Sequence, residues 1–200
     1  MAQTKTQKIL RYALYGLVGA GVLGAVGYAL VVRPLQIHNQ KQNFDKAEAS
    51  LDALAIQIQD KIGKADETKK EKTCGYSSQE FGRGPLGCGV QVGTVYAVSD
   101  VKEANVLNSE IRKFLLSSPS LSVTYDSEKT FLEPKNENQV QRNGYDIKFT
   151  DVSLGCSIGL VFANNISPDL LLKSQLQQKN LSIELSCGGP ALKEFYPLKD

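Results

Sequence analysis

The hydrophobic rhythm of the chain changes along its length. From Tyr12 to Val32 run twenty-one residues without a charge, closed by Arg11 on one side and Arg33 on the other. As a helix rising 1.5 Å per residue, this stretch is about 31 Å long, enough to cross a bilayer core of roughly 30 Å. Pro34 is expected to end or kink that helix just outside the membrane. From Gln36 to about Lys72, Phe44, Ala47, Leu51, Leu54, Ile58, Ile62 and Ala65 recur at steps of three and four. One apolar stripe of this kind predicts an amphipathic helix, either a dimerising coiled-coil stalk or a helix packed on its own domain. Lys64 to Lys72, nearly all charged or small, reads as a frayed end or linker.

Beyond Thr73 the period falls to two. Val152, Leu154, Cys156, Ile158, Leu160 and Phe162 alternate with other residues, as in a strand with one buried face. An internal repeat emerges here. Gly75-Tyr76…Phe81 leads through four residues to Leu86-Gly87-Cys88, and Gly144-Tyr145…Phe149 leads through four to Leu154-Gly155-Cys156. After the first match come a strand, Val90 to Val98, a helix, Val101 to Leu116, and a strand, Leu121 to Tyr125. After the second come Ile158 to Ala163, a helix from Pro168 to Gln178, and Leu181 to Leu185. Asp100 followed by Glu103 marks one helix start, and Ser167-Pro168 marks the other. The expected head is therefore α+β and duplicated over residues 75–126 and 144–186. Two strand–helix–strand units in tandem suggest a ferredoxin-like βαββαβ arrangement or a less regular fold of the same content.

Composition changes the picture chiefly through cysteine. All four cysteines, Cys74, Cys88, Cys156 and Cys187, follow the apolar stretch. That placement suits a domain held in an oxidising compartment. Met1 to Arg11 carries Lys5, Lys8 and Arg11 and no acid, as the cytoplasmic end of a signal-anchor does. Arg33, Lys41 and Lys46 follow closely, so the cysteines decide the orientation: N-terminus cytoplasmic, C-terminus outside. Tyr12, Tyr15 and Tyr28 fit interfacial aromatic belts. Gly27-Tyr28-Ala29 offers small residues for signal-peptide cleavage, but the apolar stretch is longer than such peptides use. The expected organisation is a cytoplasmic tip (1–11), a transmembrane helix (12–32), a juxtamembrane helix and linker (33–72) and an extracytoplasmic domain (73–200). A net charge of +2 gives no basic surface for nucleic acid.

Within the span, Gly19-Ala20-Gly21-Val22-Leu23-Gly24 matches the dinucleotide pattern G-x-G-x-x-G. That pattern needs a strand–turn–helix context, which is missing, so no cofactor is expected. Gly16, Ala20 and Gly24 instead form a small-residue helix face on which two spans could meet. In the head, Cys88 and Cys156 occupy equivalent places in the repeat, whereas Cys74 and Cys187 are private to their halves. Pairing each shared cysteine with its private one gives Cys74–Cys88 and Cys156–Cys187, one of three possible connectivities. A four-cysteine zinc site would usually show C-x₂₋₄-C pairs, and a thiol oxidoreductase C-x-x-C; neither pattern occurs. The single histidine, His38, lies beside the membrane, so the head has no histidine base for a nucleophile. Asp126, Glu128, Glu133, Asp146 and Asp151 show no motif. Asn165-Ile166-Ser167 and Asn180-Leu181-Ser182 match the glycosylation sequon.

A basic tip, one span, a continuing amphipathic helix and a disulfide-containing α+β head together resemble the shape of type IV pilin-like subunits. The pilin leader's glutamate inside the apolar segment is missing here. The run Phe81-Gly82-Arg83-Gly84-Pro85-Leu86-Gly87-Cys88 is similar to a pattern in uncharacterised single-pass surface proteins of small-genome, host-attached bacteria. The resemblance carries no activity with it; the expected protein is a membrane-anchored structural or interaction protein of the envelope and not an enzyme, an enzyme being the remotest of the readings left open. The bilayer is one expected partner, and a second copy or another envelope protein is the other. A ligand-binding or sensor head is the alternative.

Overall fold

The computed structural model describes residues 5–79, 82–127, 129–133, 139–163 and 179–192. The expected helix at Pro168–Gln178, the first sequon and Glu128 lie outside them. The chain forms two compact units, residues 1–41 and 42–200.

The first unit is helical. Helix α1 (Lys5–Gly27) leads through a π turn (Tyr28–Val32) into α2 (Arg33–Ile62). Tyr15 to Val32 is exposed throughout. The apolar helix is long enough to cross a bilayer, with a mean hydropathy of 1.8 over its best window. Pro34 does not end the helix as its chemistry suggests. The ring lacks an N–H and crowds the carbonyl four residues back. The chain widens ahead of it instead, and the Arg33 N–H donates to the Tyr28 carbonyl five residues earlier.

In the second unit, α2 buries Phe44, Ala47, Leu51, Leu54, Ala55 and Ile58. The stripe packs on the chain's own domain, because these side chains share one core with the sheet. Among the described residues the sheet has six strands: β1 (Glu67–Gln79), β2 (Gly82–Ala97), β3 (Leu121–Asp126), β4 (Val140–Phe149), β5 (Gly155–Ala163) and β6 (Asn180–Pro190). Helix α3 (Val101–Ser117) lies between β2 and β3 in sequence. Asp100 caps α3, accepting from the Glu103 N–H at 2.8 Å. The Glu103 carboxylate reaches back to the Ser99 N–H and hydroxyl, each at 2.7 Å, and these bonds hold its pKa below the ordinary value.

Strand order is β1-β2-β6-β5-β4-β3, with every neighbouring pair antiparallel. This corrects the ferredoxin-like expectation. A βαβ crossover returns its strands parallel, yet β5 and β6 are antiparallel neighbours. Nor are the halves equivalent in position: β6 adjoins its own β5, while β3 leaves β2 for the far edge beside β4. A second correction concerns Lys64 to Lys72. The charged run is not a linker, because from Glu67 onward it forms edge strand β1, and the head therefore begins before residue 73. Neither face of β1 contributes a fully buried side chain among the described ones, so it carries no hydrophobic alternation.

Even-numbered residues of β2 and β5 and odd-numbered residues of β6 point to the helices. Val90, Val92, Ile158, Leu160, Leu181 and Ile183 form the centre of that face. Sequence parity thus assigns α2 and α3 to one side of the sheet and leaves a second side for other chemistry.

Candidate functional site

The four sulfurs form two bridges, Cys74–Cys88 and Cys156–Cys187. Each joins residues directly opposite one another on neighbouring strands, with Cα separations of 4.1 and 4.0 Å. Cys88 and Cys187 face the core from adjacent strands, two register positions apart, so both bridges occupy the same end of the same face. The repeat does not carry over into register. Gly75 opposes Gly87 in the first hairpin, whereas Gly144 opposes Gly159 in the second, four residues beyond the matching glycine, Gly155.

The opposite face is nearly bare of side chains at the bridged end. Gly89, Gly188 and Gly155 form one row across β2, β6 and β5, and Gln91, Ser186 and Ser157 form the next. Ser157 and Ser186 share a hydrogen bond at 3.0 Å. A Cβ on Gly89 or Gly188 would come within 3.3 or 3.2 Å of a neighbouring backbone carbonyl, so a side chain at either position would make the adjacent strand give by a few tenths of an ångström. In the third row, Gly93 and Gly159 flank Glu184. Burial raises the Glu184 pKa, against the pull of Arg142. At the far end of this face Val95, Val161, Ala163, Ser182 and Asn180 are buried, which removes Asn180 of the second sequon from the surface.

Two polar constellations hold the periphery. On one side, Lys70 Nζ donates to Glu48 Oε1 and Asp52 Oδ2, both at 2.6 Å, and Lys72 Nζ donates to Glu48 Oε2 at 2.5 Å. These contacts lower the Glu48 pKa. Desolvation pulls the Lys70 pKa down, but its bonds to Asp52 and Glu48 outweigh that and raise it. On the other side, side-chain amides take the place of a strand ladder. Asn105 donates to the Phe131 carbonyl at 2.9 Å and accepts from the Phe131 N–H at 2.7 Å. Gln141 grips Leu132 in the same two-way fashion. Asn108 and Asn143 both donate to the Lys129 carbonyl, at 3.2 and 2.6 Å. Phe131 is thereby seated in the core, 5.5 Å from Phe162. Tyr145 donates to Asn108 at 2.9 Å, and its phenol is pushed up to about 12, first by burial and then by Asp126.

This amide clamp was missed by sequence reasoning, which assigned residues 127–143 to neither half of the repeat. A signal existed. Asn105 and Asn108 are three apart on one helix face, and Gln141 and Asn143 are two apart on one strand face.

The remaining candidates are dispersed. Asp126 is paired with Arg112 at 2.5 Å, and Glu133 with Lys179 at 3.2 Å. Asp146 and Asp151 line an open cleft of about 1000 Å³ together with Lys46, Lys148, Thr150 and Ser153. His38 is exposed on α2, in the first unit. Gly16, Ala20 and Gly24 are exposed on α1, where a Cβ at either glycine would meet nothing within 4 Å. Among the described residues no three His, Cys, Asp or Glu side chains gather as metal ligands. No protein-family model, curated protein or solved structure matches the chain.

Proposed function

We propose that the chain is a membrane-anchored structural or interaction protein of the cell envelope, with its N-terminus in the cytoplasm and its α+β head outside. One observation carries the reading: every cysteine lies beyond the apolar helix, and all four are spent in two bridges. Disulfides persist where thiols are not kept reduced, which is the far side of the membrane from the cytosol. The short basic segment ahead of the helix agrees with this orientation. The head also presents backbone-rich surface and an exposed strand edge, features suited to contact with another protein. We further infer that the hairpins β1–β2 and β4–β5 descend from one duplicated unit, supported by the matching Gly-Tyr and Leu-Gly-Cys runs.

The test is labelling of intact cells with a membrane-impermeant thiol reagent. With the native cysteines bridged, Thr130→Cys should react and Ala2→Cys should not. The reverse pattern would place the head in the cytosol and overturn the reading. A ligand-binding head is the second reading, favoured by the polar cleft beside Lys46 and Lys148. Substituting both lysines by Ala would leave an interaction protein able to assemble and would abolish ligand-dependent stabilisation of a receptor.

A further inference from the structure

We propose that edge strand β1 is a self-pairing surface, on which a second copy of this chain adds its own β1 antiparallel to form one continuous sheet. The inference deepens the interaction reading above by naming the partner.

The backbone decides which groups are offered. Opposed residues in an antiparallel pair lie about 4.5 Å apart when they exchange no hydrogen bonds and about 5.5 Å when they do. Cys74 and Cys88, with Cα atoms 4.1 Å apart, are the former kind. Leu86, of the same parity as Cys88, agrees: its carbonyl turns to Ala191, on the β6 side. Val95, of the other parity, gives its carbonyl to the Asp66 N–H, on the β1 side. It follows that Thr68, Lys70, Lys72 and Cys74 direct their backbone N–H and C=O away from β2, along the outer edge.

Such an edge is commonly blocked by lysines that point toward the helix side of the sheet. Here Glu48 and Asp52 engage Lys70 and Lys72, so these charges are compensated within the chain. On the opposite face the Lys69 and Glu71 side chains, 49% and 42% accessible, form a 3.7 Å ion pair with one another and still present one charge of each sign to an added strand.

Charge then selects the register. With a two-fold axis through Lys70, Lys69 of each copy lies directly opposite Glu71 of the other, giving two complementary pairs at close, non-hydrogen-bonded positions. Sliding the register by one residue per strand puts Glu71 against Glu71, or Lys69 against Lys69. Like charges so placed are destabilising. The centred register also preserves backbone geometry, because Lys70 with Lys70 and Thr68 with Lys72 are then the hydrogen-bonded pairs, and the one like-charge pair it creates, Lys70 with Lys70, is offset by Glu48 and Asp52 of each copy.

The experiment measures the mass of the full chain in detergent micelles by analytical sedimentation as protein concentration is varied. The wild type should dimerise. Lys69→Glu and Glu71→Lys should each weaken the dimer about tenfold or more, because each converts two attractive pairs to repulsive ones. The double swap Lys69→Glu/Glu71→Lys should recover the affinity to within about threefold. Thr68→Pro removes an outward donor, leaves the β1–β2 ladder its bonds, and should also dissociate the dimer. Intact bridges in each variant, mapped without reduction, report that the head is folded. A monomer at every concentration would overturn the proposal. A dimer indifferent to the single charge reversals, or one the double swap fails to restore, would do so too and would move the contact to a surface such as the Gly16, Ala20 and Gly24 face. Because labelling reports the compartment and the charge swap reports the contact, the two readings can fail separately.

Discussion

The two bridged strand pairs each contain a Leu-Gly-Cys run, at Cys88 and at Cys156, and the same kind of covalent bond, yet they sit in different surroundings. Strands β5 and β6 lie inside the sheet, and Phe162, Ile158, Leu160, Leu181, Ile183 and Leu185 bury one face of them almost completely. Strand β1 is at the edge, and apart from its bridge to β2 it is tied to α2 by the Glu48, Asp52, Lys70 and Lys72 charges. In the interior pair the bridge joins chains that packing already holds. At the edge it replaces packing the strand does not have. The same motif therefore serves global stability in one place and local attachment in the other.

The strongest way to break the interior is through its apolar content. Phe162→Ala should cost about 3–5 kcal/mol and lower the denaturation midpoint of the whole head, because it removes a fully buried ring and the support under Phe131. A loss below about 1 kcal/mol by chemical denaturation would mean that the interior is not the stabilising region.

Next come the bridges, where the comparison is sharpest. Cys156 and Cys187 are 31 residues apart and Cys74 and Cys88 are 14 apart. Chain entropy assigns about 3.7 and 3 kcal/mol to loops of these lengths. The location of the effect should differ more than its size. Cys156→Ala/Cys187→Ala should destabilise all strands together. Cys74→Ala/Cys88→Ala should raise hydrogen exchange on β1 while β5 and β6 amides stay protected. Equal deprotection of β1 and β6 in the edge variant would erase the distinction.

Part of this was readable in advance and part was not, for physical reasons. The period of the apolar stripe located α2 with its buried face. The aspartate before Val101 located the start of α3. The repeat, by setting Cys88 beside Cys156, suggested which sulfurs join. By contrast, an edge strand with polar residues on both faces has no alternation to read, so Glu67 to Lys72 looked like a linker. The neighbours of a strand are set by contacts distant in sequence, and the placement of β6 between β2 and β5 left no local mark. The clamp on residues 129–132 was similarly silent, since side-chain amides have no preferred partner until the fold supplies one.

Smaller effects come from pH. The Glu48 carboxyl is held below its ordinary value of 4.5 by Lys70 and Lys72. Its contribution is present above that value and lost as pH falls through the lower, folded one. Lys70 works at the other limit: with its pKa raised from 10.5, its contribution is present below 10.5 and lost as pH rises through the folded value. Hydrogen exchange on β1, corrected for its intrinsic pH dependence, should therefore increase at both extremes. Glu48→Gln should remove the acid limb at a cost of roughly 1 kcal/mol or less, as expected for partly exposed pairs.

The smallest expected effect has the opposite sign and lies on the glycine-rich face. Burial raises the Glu184 pKa above 4.5, so the folded state disfavours its charge. That penalty is absent below the unfolded value and grows as pH rises through the folded one. Glu184→Gln should stabilise the head by a few tenths of a kcal/mol at neutral pH, after allowance for solvent screening, and by nothing near pH 3. Loss of stability at neutral pH would instead identify the carboxylate as a favourable contact.

The positions of the two bridges also set how the head would answer a pull between α2 and the end of β6. Tension entering through α2 peels β1 from Glu67 and stops at Cys74, after about seven residues or roughly 24 Å of chain. There the covalent bond transfers the load to Cys88, within the sheet, and residues 75–87 are shielded from it. Residues 157–186 are shielded in the same way by the second bridge. A head built so would give a short first extension and could then lengthen only through residues 89–155, the segment between Cys88 and Cys156 that neither bridge removes from the load path.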